Sequence, residues 1–331
     1  MKKVFIVTGA SGHLGNTLIR FLKQKDVEIR GLIFTKEKSH DFDGVDYVKG
    51  DVRDKESLRP LFKNIQRKEV YVIHTAGLID ISNDVSPIMY DVNVNGTKNL
   101  IALCKEYKVK KVLYVSSVHA IPEKDKESLI VEVNKFSPND VVGGYAKTKA
   151  EATQFILDEV RDGLNAVIVH PSGILGPYDN IGNHLVQMLV DYMNGKLPLC
   201  VEGGYDFVDV RDVAYGCLKA LEKGKAGDCY ILSNRHYEIK EVLNIVKNYV
   251  GGKNLFVFPM WLAKFFAPLI QAYAKKRNER PLYTEYSLYT LQSNDKFSHQ
   301  KATKELEYFP RDLSETIKDT IDWYKGDKLP K

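Results

Sequence analysis

Tyr145 and Lys149 are four residues apart in the sequence. On a helix this spacing places both side chains on one face. A nearby ammonium would favour the tyrosinate and lower the pKa of the phenol from about 10, so that Tyr145 could exchange a proton near neutral pH. The spacing alone is not specific, because Tyr107 and Lys111 share it, as do other pairs. Tyr145 is distinguished by its position, after the fifth predicted strand and at the head of the next helix.

A pair of hydroxyl side chains, Ser116 and Ser117, ends the strand-like run 111–116. A serine at the end of this strand could donate a hydrogen bond to a substrate oxygen and hold that oxygen against Tyr145. We assign this role to Ser117, with Ser116 as the alternative. Both serines could instead cap a turn.

Three glycines, Gly9, Gly12 and Gly15, stand between the strand-like run Lys3–Val7 and a helical pattern. They allow the backbone to turn tightly and to approach a pyrophosphate. The N–H groups and the dipole of the following helix would then hold the negative charge. The sequence therefore predicts a dinucleotide site, and the other members of this loop are Ser11, His13 and Leu14.

The elements that must position these residues follow from the hydrophobic pattern. Six strand-like runs alternate with helical segments, and a seventh comes later; the runs are Lys3–Val7, Val27–Phe34, Val45–Val48, Val70–His74, Lys111–Ser116, Ala166–His170 and Asp228–Leu232. Such alternation predicts an α/β fold with a Rossmann-type doubly wound parallel sheet. We expect residues 1–171 to form the dinucleotide-binding domain, with 205–232 returning to it. Residues 172–204 and 233–331 would form a smaller, split C-terminal substrate domain over the carboxyl edge of the sheet.

The composition limits the classes of function. A chain of 331 residues with a net charge of +5 shows no cluster of Lys and Arg interleaved with aromatics, which argues against nucleic acid as a partner. The four cysteines have no metal-ligand spacing and form no disulfide framework, so we expect no metal and a reducing, cytoplasmic location. The apolar runs are all shorter than the roughly 18 residues of a membrane span, so we expect no integral span.

Taken together, the motifs resemble the extended short-chain dehydrogenase/reductases of the NAD-dependent epimerase/dehydratase superfamily. The matching residues, in order, are Gly9-x-x-Gly12-x-x-Gly15, Asp51–Asp54, Ser117, Tyr145-x-x-x-Lys149, His170–Pro177 and Phe207–Ala214. The resemblance implies that Asp51 and Val52 meet the adenine, that Ala76 and Gly77 line the cofactor, and that Pro171 and Ile174 lie beside the nicotinamide. It also implies that Lys149 bonds the nicotinamide ribose.

Three further residues match the family in position. The resemblance implies that Asn93 orders water near the lysine, although it could equally be a helix-start residue. Asp209 and Asp212 are expected to be structural, tying a strand to a loop.

Two motifs of related enzymes are absent from the sequence, and their absence limits the type of reaction. The stretch 170–173 lacks the asparagine with which sugar-nucleotide epimerases grip a diphosphate, and Val118 and His119 replace the Asp–Glu pair of the dehydratases. The motifs are more similar to the dihydroflavonol reductase and 3β-hydroxysteroid dehydrogenase branch. Nine aromatics of the second domain would suit an apolar substrate: Phe256, Phe258, Trp261, Phe265, Phe266, Tyr273, Tyr283, Tyr286 and Tyr289. Part of this stripe is expected to be core, because five residues have helical spacing: Trp261, Leu262, Phe265, Phe266 and Leu269.

Cofactor choice depends on the end of the second strand. An acid there would bond the ribose 2′-hydroxyl and favour NAD, but the chain continues with Phe34, Thr35 and Lys36. Lys36, Lys38 or Arg53 could meet a 2′-phosphate. We therefore favour NADP(H), with NAD(H) as the alternative.

The leading hypothesis is an NAD(P)-dependent oxidoreductase that moves a hydride between the nicotinamide and a secondary alcohol or its ketone, with an apolar, ring-bearing substrate. The alternatives are a sugar-nucleotide epimerase with the same triad and a non-catalytic nucleotide-sensing protein. The resemblance also implies a homodimer, through the helices near 93–107 and 145–161.

Overall fold

The structure is a computed structural model that describes residues 2–34, 42–80, 83–180, 182–197, 199–277 and 284–326. Its strands are β1 (Lys3–Thr8), β2 (Glu28–Ile33), β3 (Val45–Lys49), β4 (Glu69–His74), β5 (Lys111–Val115), β6 (Ala166–Pro171), β7 (Gly173–Leu175), β8 (Cys200–Val201), β9 (Gly204–Asp209), β10 (Cys229–Leu232), β11 (Arg235–Glu238) and β12 (Val257–Phe258). Its α-helices are α1 (His13–Leu22), α2 (Lys55–Leu58), α3 (Pro87–Tyr90), α4 (Gly96–Glu106), α5 (Gly144–Arg161), α6 (His184–Met193), α7 (Val210–Lys223), α8 (Ile239–Val250), α9 (Met260–Arg277), α10 (Glu285–Thr290), α11 (Gln300–Leu306) and α12 (Leu313–Tyr324).

A seven-stranded parallel sheet in the order β10-β6-β5-β4-β1-β2-β3 forms the centre of the fold. The chain starts in the middle of the sheet and winds outward in both directions, so the loops after β1 and β4 diverge and leave a crevice between them. Each of the seven predicted runs corresponds to one strand of this sheet. The prediction of a Rossmann-type α/β fold is therefore confirmed.

The inner strands of the sheet are buried on both faces, which explains why they are mostly apolar rather than alternating, whereas the edge strand β3 is only partly buried. In β5, Val112 and Tyr114 point into the core that α4 and α5 cover, while Leu113 and Val115 point into the core of α1 and α7. Every residue of β5, β6 and β10 is buried.

The second half of the chain adds two small sheets and seven further α-helices, α6 to α12, among the described residues. β11, β9 and β7 form one sheet, and β12 pairs with β8 in the other. α7 carries the ties between these parts: Asp209 caps α7 by accepting from the Arg211 N–H, and Asp212 pairs with Arg311 at 2.8 Å. These carboxylates therefore act in packing, as expected. The predicted boundaries of the two domains remain a proposal.

A π-turn over Asp91–Asn95 joins α3 and α4 into one continuous helix. Such turns occur mostly as single insertions in α-helices and frequently lie at functional sites. Asn93 is in the middle of this π-turn.

Candidate active site

The residues predicted to bind cofactor and substrate lie at the carboxyl edge of the seven-stranded sheet. Ser117 follows β5, and Ala76 and Gly77 follow β4. Tyr145 and Lys149 reach the same edge from the first two turns of α5. The remaining contacts predicted beside the nicotinamide are Pro171, the last residue of β6, and Ile174, in β7. In open α/β sheets this edge is where ligands bind.

The glycine loop turns directly from β1 into α1. Gly9 has a φ of +66°, in the left-handed region that favours glycine, and the Gly12 N–H donates to the Gly9 carbonyl at 3.0 Å. A Cβ at Gly15 would lie 2.0 Å from that carbonyl oxygen, so α1 can approach the loop only because residue 15 lacks a side chain. The Gly12 cap adds no side-chain hydrogen bond and the first turn of α1 carries no acid. The residues present therefore fit a dinucleotide, with the pyrophosphate on this helix terminus.

The side chain of His13 fastens this loop to the segment after β7. His13 Nε2 donates to the Pro177 carbonyl at 2.8 Å, and its Nδ1 accepts from Asn183 Nδ2 at 3.2 Å. Burial lowers the pKa of His13, so the ring is neutral. Ser11 and Leu14 are buried beside it. The predicted phosphate contact of His13 is therefore left to its backbone N–H.

Ser117, Tyr145 and Lys149 come together as predicted and are all buried. The Ser117 hydroxyl lies beside the Tyr145 phenol, and Ser117 Oγ accepts from the His119 N–H at 3.2 Å. Lys149 Nζ donates to the Val115 carbonyl at 2.8 Å. The alternative serine, Ser116, is hydrogen-bonded to Thr153 Oγ1 at 2.6 Å instead. The geometry thus places Ser117, rather than Ser116, beside the phenol.

The predicted lowering of the Tyr145 pKa is wrong for this structure. Burial raises the pKa of Tyr145 to about 12, and the neighbouring Ser117 hydroxyl opposes this increase only in part. The Lys149 ammonium lies 6.0 Å from the centre of the Tyr145 ring, and the desolvation of a phenolate outweighs it. Burial also lowers the pKa of Lys149 to about 8. Lys149 therefore gains or loses its charge just above neutral pH.

Asn93 stabilises the loop that lines the site. Its Oδ1 accepts from the Leu78 N–H at 2.8 Å, and its Nδ2 donates to the Leu78 carbonyl and to Thr148 Oγ1, both at 3.0 Å. A methyl group at Gly77 would lie 3.5 Å from Lys149 Nζ, so this loop runs directly past the lysine. Asn93 thus joins the loop after β4 to α5, a role that its position in the sequence did not reveal.

The contacts predicted for the adenine end lie after β3. Val52 is buried against Gly96, at the start of α4. Asp51 forms an ion pair with Arg53, which donates to it through Nε and Nη2 at 2.9 and 2.6 Å. Phe34, directly after β2, is 37% exposed. Thr35, Lys36 and Lys38 lie outside the described residues.

An aromatic cover above the catalytic phenol was not predicted as a unit. We define it as His119, Tyr205 and Tyr286. The His119 ring stacks on Tyr205 with centroids 5.5 Å apart, and it lies 6.3 Å from both Tyr145 and Tyr286. Tyr205 Oη is hydrogen-bonded to His119 Nε2 at 2.9 Å, and burial lowers the pKa of His119 to about 4. The cover is therefore neutral and mostly apolar.

Tyr286 brings α10 over the active site. Gly143 has a φ of +96°, and a Cβ there would lie 2.2 Å from Tyr286 Cε2, so only glycine allows this contact. Among the described residues the buried Tyr286 hydroxyl has no hydrogen-bond partner. The sequence signal was the aromatic cluster itself, but nothing in it marked Tyr286 as the member that reaches Tyr145.

The rest of the predicted aromatic stripe lies elsewhere. The expectation that part of this stripe belongs to the core is wrong for the four exposed residues of α9, and Leu262 is only half-buried. The exposed four are Trp261, Phe265, Phe266 and Leu269. A periodic stripe needs a partner surface to become core, and the described structure supplies none for this face. The side chains of Tyr273 and Tyr283 lie outside what the structure describes.

Three further observations describe the side chains and helices of the structure. Within the described ranges, no three His, Cys, Asp or Glu side chains are grouped so that they could hold a metal ion. A search of the same residues finds no helix with the length and apolar character needed to cross a membrane. All four cysteines are free and buried.

Comparison with known proteins shows several relatives that match most of this chain. The chain is 28% identical over 327 residues to the sterol demethylase protein B of Methylococcus capsulatus, covering 97% of this chain and 98% of that protein. It is 30% identical over 314 residues to the 3beta-hydroxysteroid-dehydrogenase/decarboxylase isoform 1 of Arabidopsis thaliana, covering 87% and 69%. A Synechocystis protein named as a candidate dihydroflavonol 4-reductase is 26% identical over 335 residues, covering 98% and 96%.

The fold and the family agree with these relatives. The crystal structure of gox2253 superposes with a TM-score of 0.82 and 30% identity, covering 98% of both chains. Residues 5–239 match the family described as "NAD dependent epimerase/dehydratase family". The predicted resemblance to extended short-chain dehydrogenase/reductases is thereby confirmed, as is the class of enzyme that acts on CH–OH groups. The chain belongs to the NAD dependent epimerase/dehydratase family.

Proposed function

We propose that this enzyme transfers a hydride between a nicotinamide and a secondary alcohol or its ketone, and that its substrate is apolar and ring-bearing. The observation that carries the proposal is the buried Ser117–Tyr145 hydroxyl pair beneath the aromatic cover. A phenol and a serine hydroxyl at one point can hold and protonate a single substrate oxygen. The neutral rings around them would favour a substrate that is largely hydrocarbon.

The bound nicotinamide would supply the hydride in the reducing direction and accept it in the oxidising direction. During reduction, Ser117 Oγ donates a hydrogen bond to the carbonyl oxygen and fixes it beside Tyr145. The O–H bond of Tyr145 then breaks, and its proton passes to that oxygen as the carbonyl carbon gains the hydride. Lys149 stabilises the resulting tyrosinate by its charge, because opposite charges favour each other in a buried site. Oxidation of an alcohol follows the reverse path.

The names of the relatives support the substrate class. Two of them are named for sterols or steroids and one for a dihydroflavonol, all of which are polycyclic or multi-ring compounds. The missing diphosphate-gripping asparagine at 170–173 argues in the same direction, against a sugar nucleotide.

A cofactor-turnover screen tests this proposal. Purified enzyme would be incubated with NADH or NADPH and 3-ketosteroids, flavonoid ketones or small aromatic ketones, and with NAD⁺ or NADP⁺ and the corresponding alcohols. Net loss or gain of absorbance by the reduced nicotinamide supports an oxidoreductase. Conversion of a UDP-sugar without net cofactor change would identify an epimerase, and an intact site that turns over neither class would favour the nucleotide-sensing alternative.

We further propose NADP(H) as the preferred cofactor. Lys36 and Lys38 follow β2, where an acid would otherwise select NAD. The competing candidate, Arg53, already uses two of its nitrogens on Asp51. The two lysines are therefore the preferred partners of a 2′-phosphate.

Finally, we propose a homodimer through the outer faces of α4 and α5. The two helices lie side by side and are bridged by the Lys105–Glu159 ion pair at 2.5 Å. Phe155 lies half-buried on the outer face, with Lys98 Nζ 5.9 Å from its ring centre. Light scattering at micromolar concentration should show a dimer that Phe155→Glu converts to a monomer. A wild-type monomer would rule the dimer out.

A further inference from the structure

Helix α9 has two apolar faces, of which one packs on the protein. Met260, Ala263 and Ala267 are buried, and together with Leu288 of α10 and Val201 of β8 they form a small core of their own. This core holds α9 on the molecule. It accounts for one side of the helix and leaves the opposite side to be explained.

The opposite side exposes large apolar side chains at helical spacing. Trp261, Phe265 and Leu269 follow each other at intervals of four residues and are 69%, 70% and 64% exposed. The outward face of a surface helix is normally polar. The stripe also continues beyond the helix, because Phe256 is 70% exposed and its ring lies 6.4 Å from that of Phe258.

These residues form one continuous surface. Phe258 lies 6.4 Å from Phe266, which in turn lies 5.1 Å from Phe265. We call this surface the α9 aromatic patch, and its exposed members are Phe256, Trp261, Phe265, Phe266 and Leu269. Contiguous exposed apolar patches of this kind mark interaction sites, whereas single exposed apolar residues do not.

The sequence around the patch is exclusively cationic. Residues 242–278 contain no Asp or Glu, and their charged residues are Lys247, Lys253, Lys264, Lys275, Lys276 and Arg277. Lys247 and Lys264 donate to the side-chain amides of Asn254 and Gln292. Within the described structure none of the three lysines before residue 270 forms an ion pair. The acid in contact with α9 is Glu202, which accepts from the Met260 N–H at the start of the helix.

We propose that the α9 aromatic patch docks this enzyme on an anionic lipid bilayer. Trp and Phe side chains favour the boundary between lipid headgroups and acyl chains, and nearby cations are attracted by anionic headgroups. A helix with one face packed on its own protein and an apolar face outward lies on a membrane and does not cross it. The charge pattern favours lipid over a second copy of this chain, since two copies would bring like charges together.

Docking would also place the active site next to the bilayer. Leu288 of α10 packs beneath α9, and Tyr286, two residues earlier on α10, covers the catalytic phenol. An apolar, ring-bearing substrate dissolved in the membrane would then reach the cover without crossing water. This last step rests on the proposed function, whereas binding of the protein to lipid does not.

Co-sedimentation with vesicles tests the docking without any assay of turnover. The 331-residue protein should pellet with vesicles of phosphatidylcholine and phosphatidylserine, and less with phosphatidylcholine alone or at high salt, because salt screens the attraction. Replacing Trp261, Phe265 and Leu269 together by serine should weaken binding by about tenfold or more. Phe309→Ser is the matched control, because Phe309 is 72% exposed but lies between α11 and α12.

Tryptophan fluorescence provides a second readout at the patch itself. The chain has two tryptophans, so Trp323→Phe leaves Trp261 as the sole reporter, and its emission should shift to the blue with anionic vesicles. The proposal is overturned by wild-type protein that remains in the supernatant, by equal binding to neutral vesicles, or by a triple variant that binds like Phe309→Ser. It is also overturned if, without lipid, the triple variant changes the mass measured by light scattering, since the patch would then be an interface between copies.

Discussion

We call the carboxyl edge of the sheet, where Ser117, Tyr145 and Lys149 lie, the catalytic edge. The catalytic edge and the α9 aromatic patch both depart from the usual distribution of side chains between interior and surface, but in opposite directions. At the catalytic edge, polar and ionisable groups such as Ser117 and Lys149 are buried. On α9, Trp261 and Phe265 face outward. A buried polar group and an exposed apolar patch are the informative exceptions to the rule of apolar inside and polar outside.

The two exceptions differ in where their partners are found. The catalytic serine and lysine have partners within the chain: Lys149 donates to the Val115 carbonyl, and Ser117 Oγ accepts from the His119 N–H. Without such partners, burial of each group would cost several kcal/mol. The α9 patch has no partner within the described structure. The comparison teaches that catalytic groups are held in place by hydrogen bonds within the chain. A docking surface, in contrast, consists of apolar side chains that have no partner within the chain.

The largest expected effect lies at the catalytic edge. Tyr145→Phe keeps the ring packing but deletes the proton donor, so kcat should fall by roughly 100-fold or more. Cofactor binding, measured by nicotinamide fluorescence, should be retained. Tyr107→Phe is the matched control, since Tyr107 also has a lysine four residues later but its hydroxyl meets Arg59 instead. Equal activity in both variants would remove Tyr145 from the mechanism.

Discrimination between NADPH and NADH tests whether the cofactor site includes the lysines that follow β2. If Lys36 and Lys38 meet a 2′-phosphate, replacing both by alanine should weaken NADPH binding far more than NADH binding. One charge-assisted contact is worth about 1.5–3 kcal/mol, or roughly 10- to 150-fold in affinity. Titration of both cofactors would measure this, with Arg53→Ala as the comparison variant. Equal losses for both cofactors in every variant would end the proposed preference for NADP(H).

The buried lysine should also show in the pH dependence of stability. The folded-state pKa of Lys149 is about 8, below its ordinary value of 10.5, so the unfolded chain binds more protons between these pH values. The free energy of unfolding of the wild type, relative to Lys149→Met, should therefore rise with pH across this window, by on the order of 1–3 kcal/mol. Urea denaturation at a series of pH values measures the difference. A difference that stays flat or falls across the window would contradict burial of the ammonium.

The smallest effect on stability is expected for the exposed residues of α9, and a small effect is what the proposal requires. Trp261→Ser and Phe265→Ser should each change the free energy of unfolding by less than about 0.5 kcal/mol, because exposed side chains lose little on replacement. Leu288→Ala, in the core beneath the same helix, should cost about 2–5 kcal/mol. Urea denaturation compares the three variants. A large loss for Trp261→Ser would show that the stripe is packed and would make α9 similar to the rest of the core.

Much of the fold could be predicted because buried elements require apolar residues, and these can be recognised in the sequence. Strands buried on both faces, such as β5 and β6, must be continuously apolar, and each predicted run is therefore a strand of the sheet. The glycine loop was predictable for a similar reason, since Gly15 meets the Gly9 carbonyl so closely that a side chain cannot fit. The order of elements then placed Tyr145 at the correct edge.

The remaining features depend on contacts between distant parts of the chain. His119 and Tyr205 meet across 86 residues, and no local pattern reports such a pair. The direction of the Tyr145 pKa shift depends on how completely the phenol is buried, which the four-residue spacing to Lys149 does not contain. Periodicity identified the stripe of α9, but it does not reveal whether a partner lies opposite.

The π-turn at Asp91–Asn95 makes the number of residues in this helix matter to within one residue. It is one residue more than an α-helix would hold, and each residue turns a helix by about 100°. Because of the extra residue, Met89 before the turn and Leu100 after it are both buried while Asn93 reaches the Leu78 backbone. Deleting one residue would rotate one of the two apolar faces into water or carry the amide away from the loop. An insertion or deletion in this helix would therefore shift the register of the residues that face the active site.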